Sequence, residues 1–144
     1  MNPGKFLLLV LLPLFVILPG YLPNKPVMNR AALGKKLFEE KILSLDSSVS
    51  CASCHKPEFA FADTSAFSLG IKGQRTKRNT PSVLNMLNRL SFFWDGRAKT
   101  LEQQALMPIA NKEEMGLPIP EAVKRLNQHP EYKKLFRQVF KQAP

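Results

Sequence analysis

Two cysteines, two histidines and one tryptophan are all that 144 residues supply of those types. So few cysteines cannot form a disulfide framework, and a bridge from Cys51 to Cys54 would close almost no loop. A zinc centre on the pair needs two further ligands at metal spacing, and beyond the adjacent His55 only His129 remains. No stretch alternates apolar and polar residues as a half-buried strand does. That argues against a sheet, and against the strand-to-helix junction of a thioredoxin-like redox pair. Acidic side chains are also in short supply, 11 against 21 basic ones, for a net charge of +10. The basic residues are scattered, and the aromatic-interleaved basic motif of an RNA or DNA module is missing. The charge therefore points to an acidic redox partner or an anionic lipid surface, not to nucleic acid.

What is present is concentrated in five residues, Cys51-Ala52-Ser53-Cys54-His55. Two cysteines three apart, followed at once by histidine, form the attachment signature of a c-type haem. One turn of backbone presents both sulfurs to the porphyrin vinyl groups, where they form thioethers. The next residue aims an imidazole nitrogen at the iron, which makes His55 the proximal axial ligand. The expected cofactor is one covalently bound haem c.

The rest of the chain reads around that turn. Lys5 precedes an apolar run from Phe6 to Leu22, which together give residues 1–22 the form of an export signal. Pro13 and Pro19 would kink a span, and no Ala-x-Ala follows, so the segment reads as a signal peptide or a retained membrane anchor. Export places the protein in the periplasm, where thioethers form. Residues 23–28 read as a proline-stiffened linker, and 29–144 as the haem domain. Leu33, Leu37 and Phe38 predict a helix from about Asn29 to Lys41. Thr80-Pro81 predicts another, with Val83, Leu84 and Leu87 as its apolar face. Thr100 and Gln103 form a capping box for a third, which Pro108 ends or kinks. Glu121–Gln128 and the stripe Tyr132, Leu135, Phe136, Val139, Phe140 predict two more. The fold class is all-α: a cytochrome c-like helical domain wrapped around one haem.

Function depends on the second axial position of the iron. A strong second ligand makes an electron carrier; an open position lets peroxide reach the metal. Met86, Met107 and Met115 lie downstream, although helical methionines are commonly core filler. His129 falls in a polar turn between helices and is expected to be exposed. Lys72, Arg75, Lys77 and Arg78 form a basic cluster that is either a solvated face or a source of partners for the haem propionates, with Arg78 the first choice.

Several segments in order resemble one family: LGKKLFEEKILS, then SCASCH, RNTPSVLN, FFWDGRAKTLEQQA and NKEEMG. From Leu33 to Phe140 the chain is similar to the N-terminal haem domain of the bacterial di-haem cytochrome c peroxidase and MauG family. The resemblance implies that this haem is the one that reacts with hydrogen peroxide. It implies that Trp94 lies between two haems and assists electron transfer. It assigns Phe93, Gln104 and Glu114 to the distal pocket, with Glu114 moving the proton, Gln104 orienting the peroxide and Phe93 keeping the pocket dry. Read without the resemblance, Glu114 is a surface glutamate beside Glu113.

Two departures stand out. Many family members carry a ligating histidine in the distal loop, where this chain has Ile71 in SLGIKG. That implies a constitutively open site. The family also has a second haem domain, and this sequence holds no second CxxCH. The expectation is a fragment or split gene whose second haem domain is supplied in cis or in trans. Three activities follow: peroxide reduction with electrons from a small cytochrome c or cupredoxin, mono-haem electron transfer, or MauG-like oxidation of a side chain on another protein.

Overall fold

The computed structural model describes residues 27–144. The apolar run Phe6–Leu22 and the linker up to Pro26 lie outside the described residues, and with them the expected signal or anchor.

Asn29 starts α1 (Arg30–Phe38) by accepting the Ala32 amide on its side chain at 2.9 Å. Lys35 and Lys36 occupy the last turn, where cations favour the helix dipole. The helix stops short of Lys41. Glu40 is extended (φ −87°, ψ 122°), and its carboxylate caps a separate 3-10 turn, Lys41–Leu43. A polar stretch leads into α2 (Cys51–Cys54), a single turn begun by Ser50, whose amide donates to the Ser53 hydroxyl at 2.9 Å. Long loops follow until α3 (Leu101–Ala110). Then come α4 (Ile119–Gln128) and α5 (Pro130–Phe140), with His129 as the one residue between them.

The C-terminal pair forms as the 3.6-residue periodicity requires. Packed with α1, it makes the core: Leu33, Leu43, Met115, Leu117, Ala122, Leu126 and Tyr132 are all buried. Arg125 ties α4 to the turn before the haem motif, donating to the carbonyls of Ile42, Ser44 and Leu45 at 2.8–3.0 Å. The Tyr132 hydroxyl donates to Glu40 at 2.5 Å, which fastens α5 to the end of α1. Burial and that carboxylate push the phenol well above the tyrosine range. His129 is half-buried rather than exposed, its ring against Tyr132 at 5.1 Å between centroids.

The helix expected after Thr80-Pro81 does not form; residues 80–90 are a run of turns. Thr80 is buried, and its hydroxyl is 2.7 Å from that of Ser68, so it is engaged in a tertiary contact instead of a cap. Val83, Leu84 and Leu87 find no helix to pack against, and a short helix without a buried face is marginal in water. Among the described residues there is no named strand. Isolated bridges, Lys56 to Ala62, Leu69 to Arg75 and Phe92 to Ala98, each pinch a loop closed. The domain is all-α and cytochrome c-like.

Candidate functional site

The site begins at α2. Cys51 is half-buried against the core cluster, and Cys54 is half-buried near the Leu69 carbonyl. Burial pushes both thiols above the ordinary cysteine value, so they are held protonated at neutral pH. His55 closes the turn. Its Nδ1 is 3.0 Å from the Phe61 carbonyl, an acceptor only, so Nδ1 carries the proton and Nε2 keeps its lone pair. Ala60 and Phe61 both have positive φ, and this doubling-back returns the carbonyl to the imidazole. Phe38 packs at 6.2 Å from the His55 ring and 6.2 Å from the Phe61 ring, which fixes the plane of the imidazole.

Behind the histidine loop is a polar lashing. Asp63 takes the Lys56 ammonium at 2.8 Å and the Ser68 hydroxyl at 2.6 Å, and Ser68 meets Thr80. The ammonium, first, and the hydroxyl hold the Asp63 carboxyl far below the usual aspartate range. Lys56 and Ser68 are thus bound directly to one carboxylate, and Thr80 is joined to it through Ser68.

Glu114 comes to the same place from the loop after α3. It is half-buried, with the Asn111 side-chain amide donating to its carboxylate at 2.7 Å. Burial raises its pKa; the Asn111 bond and then the positive charge of Arg97 oppose the rise without cancelling it, and Glu113 adds to it. Its field also reaches both thiols. The carboxyl therefore shares one electrostatic neighbourhood with Cys51, Cys54 and His55, and is not a plain surface glutamate.

The other expected residues lie on α3 and on the loops before it. Gln104 is half-buried on α3, whose remaining surface is largely open. Phe93 sits at φ +63° in the Asp-Gly turn, with the Arg97 guanidinium stacked on its ring at 3.6 Å. Trp94 is mostly exposed, and Arg78 lies over its indole at 4.1 Å. The guanidinium expected to pair with a propionate is thus placed on the tryptophan. Ile71 is 3% exposed, directed at Gly116 and unable to act as a ligand. Met115 is a core residue; Met107 on α3 is exposed.

Three participants escaped the sequence reading. Arg97 acts on both Phe93 and Glu114, and its only signal was its place in an Asp-Gly-Arg turn. Asn111 was detectable as an amide three residues before Glu114. The Phe61 carbonyl is a backbone group and leaves no trace in composition.

The residues present fit a c-type haem. The donor set is one imidazole with a free Nε2 and two thiols on a single turn, which suits thioether attachment and axial ligation. Phe59, Phe67, Leu69, Leu101 and Met107 present apolar surface, as the edges of a flat apolar macrocycle require.

The family model described as di-haem cytochrome c peroxidase matches residues 28–144. The chain belongs to that family. The peroxidase family is one of c-type haem proteins, and its curated relatives divide between two names. The methylamine utilization protein MauG of Methylophilus methylotrophus is 37% identical over 123 residues, 85% of this chain and 37% of that protein. The cytochrome c551 peroxidase of Nitrosomonas europaea is 43% identical over 112 residues, 78% of this chain and 34% of its own length. Among solved structures, a MauG-like protein associated with microbial copper homeostasis superposes with a TM-score of 0.68 at 35% identity, covering 76% of this chain and 33% of that one. The diheme peroxidase BthA from Burkholderia thailandensis gives 0.64 at 25% identity, covering 79% and 39%. The chain spans about a third of the length of the curated relatives it matches.

Proposed function

We propose that this chain is the peroxide-reacting haem domain of a di-haem peroxidase. The observation that carries the reading is the half-buried Glu114 carboxyl, its pKa raised, sharing an electrostatic neighbourhood with an imidazole whose Nε2 is free. A general acid–base group with a pKa moved toward neutrality can accept a proton and give it back within one turnover.

Cys51 and Cys54 would hold one haem through thioethers, and His55 would ligate its iron through Nε2. When bound, the haem would relay the two electrons, drawn from the second haem domain and its donor, that with two protons convert hydrogen peroxide to two waters. Glu114 takes the proton from one peroxide oxygen and delivers it to the departing oxygen. Asn111 holds the carboxylate oxygen not used for transfer. Gln104 orients the peroxide by hydrogen bonding. Phe93, pinned by Arg97, excludes water from one side. Trp94 passes electrons from a second haem domain, in cis or in trans, which is supplied by a small cytochrome c or cupredoxin. Arg78 lies on that tryptophan. The protein is exported to the periplasm through residues 1–22, which serve as a signal or as an anchor to the inner membrane.

MauG-like oxidation of a side chain on another protein is the second reading, favoured by the two names among the relatives. Mono-haem electron transfer would need Met86 or Met107 as the second ligand, because Met115 is built into the core. The test is an absorption spectrum of the haem-loaded protein, ferric and ferrous, before and after hydrogen peroxide. A high-spin ferric spectrum that changes promptly supports the reading. A low-spin spectrum with a methionine-to-iron band, inert to peroxide, overturns it in favour of an electron carrier.

A further inference from the structure

The loop that carries Glu114 is held from two sides. On the inner side Met115 and Leu117 are buried in the core, and the Leu45 amide donates to the Met115 carbonyl at 2.8 Å. On the outer side lies the segment from Ser68 to Thr76, closed on itself by the bridge from Leu69 to Arg75. Its Ile71 amide donates to the Glu114 carbonyl at 2.8 Å. Gly70 touches the same place. A Cβ there would overlap the Glu113 carbonyl oxygen and lie 2.7 Å from that of Glu114. Gly70 has φ −88° and ψ −163°, a conformation open to any residue, so the close approach and not the backbone turn is what requires glycine. The Ile71 side chain is set against Gly116, where a Cβ would overlap its Cδ1. Lys77 completes the seam with an ion pair to Glu113 at 2.5 Å.

We propose that Gly70 and Ile71 are positioning residues for Glu114: the 68–76 loop is a buttress that sets where the backbone of Glu114, and with it the carboxyl, stands. The Ile71 side chain is a packing group of this seam. The buttress bonds to the backbone of Glu114 itself, so a change at the seam is passed directly to the residue that carries the carboxyl. A shift of that seam would change the distances from the carboxyl to Asn111, Arg97 and Glu113, the side chains that act on it. The inference rests on the acid–base reading of Glu114.

The test uses the haem-loaded chain and four variants: Gly70→Ala, Ile71→Val, Gly73→Ala and Glu114→Gln. One readout is the rate of the absorption change with hydrogen peroxide across pH. The other, taken without peroxide, is difference infrared spectroscopy of the carboxyl stretch that Glu114→Gln removes. Gly70→Ala is expected to slow the peroxide reaction about a hundredfold, the scale of a 1 Å misplacement. It should also move the infrared titration of Glu114 down toward the ordinary glutamate value as the carboxyl shifts into water. Ile71→Val deletes the one methyl directed at Gly116, keeps the fold, and should shift both readouts less, in the same direction. Gly73→Ala strains the same loop at φ +69° with open space around the new Cβ, and should leave the infrared titration unchanged. Wild-type readouts in both Gly70→Ala and Ile71→Val overturn the buttress, as does a Gly73→Ala titration shifted as far as that of Gly70→Ala. Should Glu114→Gln react at the wild-type rate, the acid–base reading fails instead, while the infrared titration still reports whether the loop places the carboxyl.

Discussion

The two halves of this domain are held together by different means. α1, α4 and α5 turn their apolar stripes toward one another, leaving Leu33, Leu117 and Tyr132 at most 1% exposed. Between Lys56 and Leu106 the chain does the opposite: Leu87, Leu90 and Trp94 are 84%, 94% and 74% exposed. That region is shaped by pinched loops, positive-φ residues and the Asp63 lashing; Ile71, Phe92 and Ala98 are buried, but many of its large apolar side chains face outward. The helical half is specified by side-chain burial. The loop half is specified by backbone and polar bonds, and its apolar surface suits a flat group and a neighbouring domain.

The largest expected effect separates the halves outright. In the haem-loaded protein, hydrogen exchange should show protection extending from α2 through the loops to α3. Replacing Cys51 and Cys54 by alanine should abolish covalent attachment, so that haem is lost on denaturing electrophoresis. Protection across 56–106 should then fall while α1, α4 and α5 retain theirs. Equal protection in both forms would break the division.

Glu114→Gln is expected to lower the peroxide rate by about 10²–10⁴-fold. Its effect on folding should have the other sign. The folded-state pKa of Glu114 is raised, so ionisation opposes folding: the penalty is absent below the unfolded value and complete above the folded one. Above that upper value the glutamine variant, which can still accept from Asn111, should unfold at a temperature equal to or higher than the wild type. A joint loss of activity and stability would make Glu114 a structural residue.

Next in size is a matched pair of truncations. Leu33→Ala removes a core side chain and should cost about 2–5 kcal/mol in denaturant unfolding. Leu90→Ala, at a site 94% exposed, should change stability by less than about 0.5 kcal/mol. Comparable losses at both sites would mean that the loop half hides a core of its own.

The same division explains what could be read in advance. Helical periodicity found α5 and α4 almost to the residue, because a stripe such as Tyr132, Leu135, Phe136 and Val139 has one physical use. The haem turn was legible because its chemistry demands adjacent residues. Thr80-Pro81 misled, since a threonine that caps and a threonine that bonds to a distant serine look alike along the chain. Assigning Phe93, Gln104 and Glu114 to one pocket rests on the resemblance, as they come from a turn, a helix and a loop with no shared period. Arg97, Asn111 and the Phe61 carbonyl act through contacts that exist only after folding.

The smallest effect tests the lashing that substitutes for a core in the loop half. Asp63 is nearly buried, its side chain 5% exposed, while its partner Lys56 is a third exposed, so part of the attraction is screened. Asp63→Asn keeps the shape and the bond to Ser68 but loses the charge, and should cost about 1–2 kcal/mol at neutral pH. The sign with pH follows from the depressed carboxyl. Its stabilisation is complete above the ordinary aspartate value of about 4 and is lost as pH falls below it toward the folded-state value. The gap in unfolding temperature between wild type and Asp63→Asn should therefore be steady from pH 7 to 5 and shrink below about pH 4. Hydrogen exchange at low pH should show where the loss falls. If acid loosens the stretch from Lys56 to Thr80 before α4 and α5, that carboxylate is what joins the histidine loop to the rest of the site. If the helices open first, the loop half is held by something other than this network.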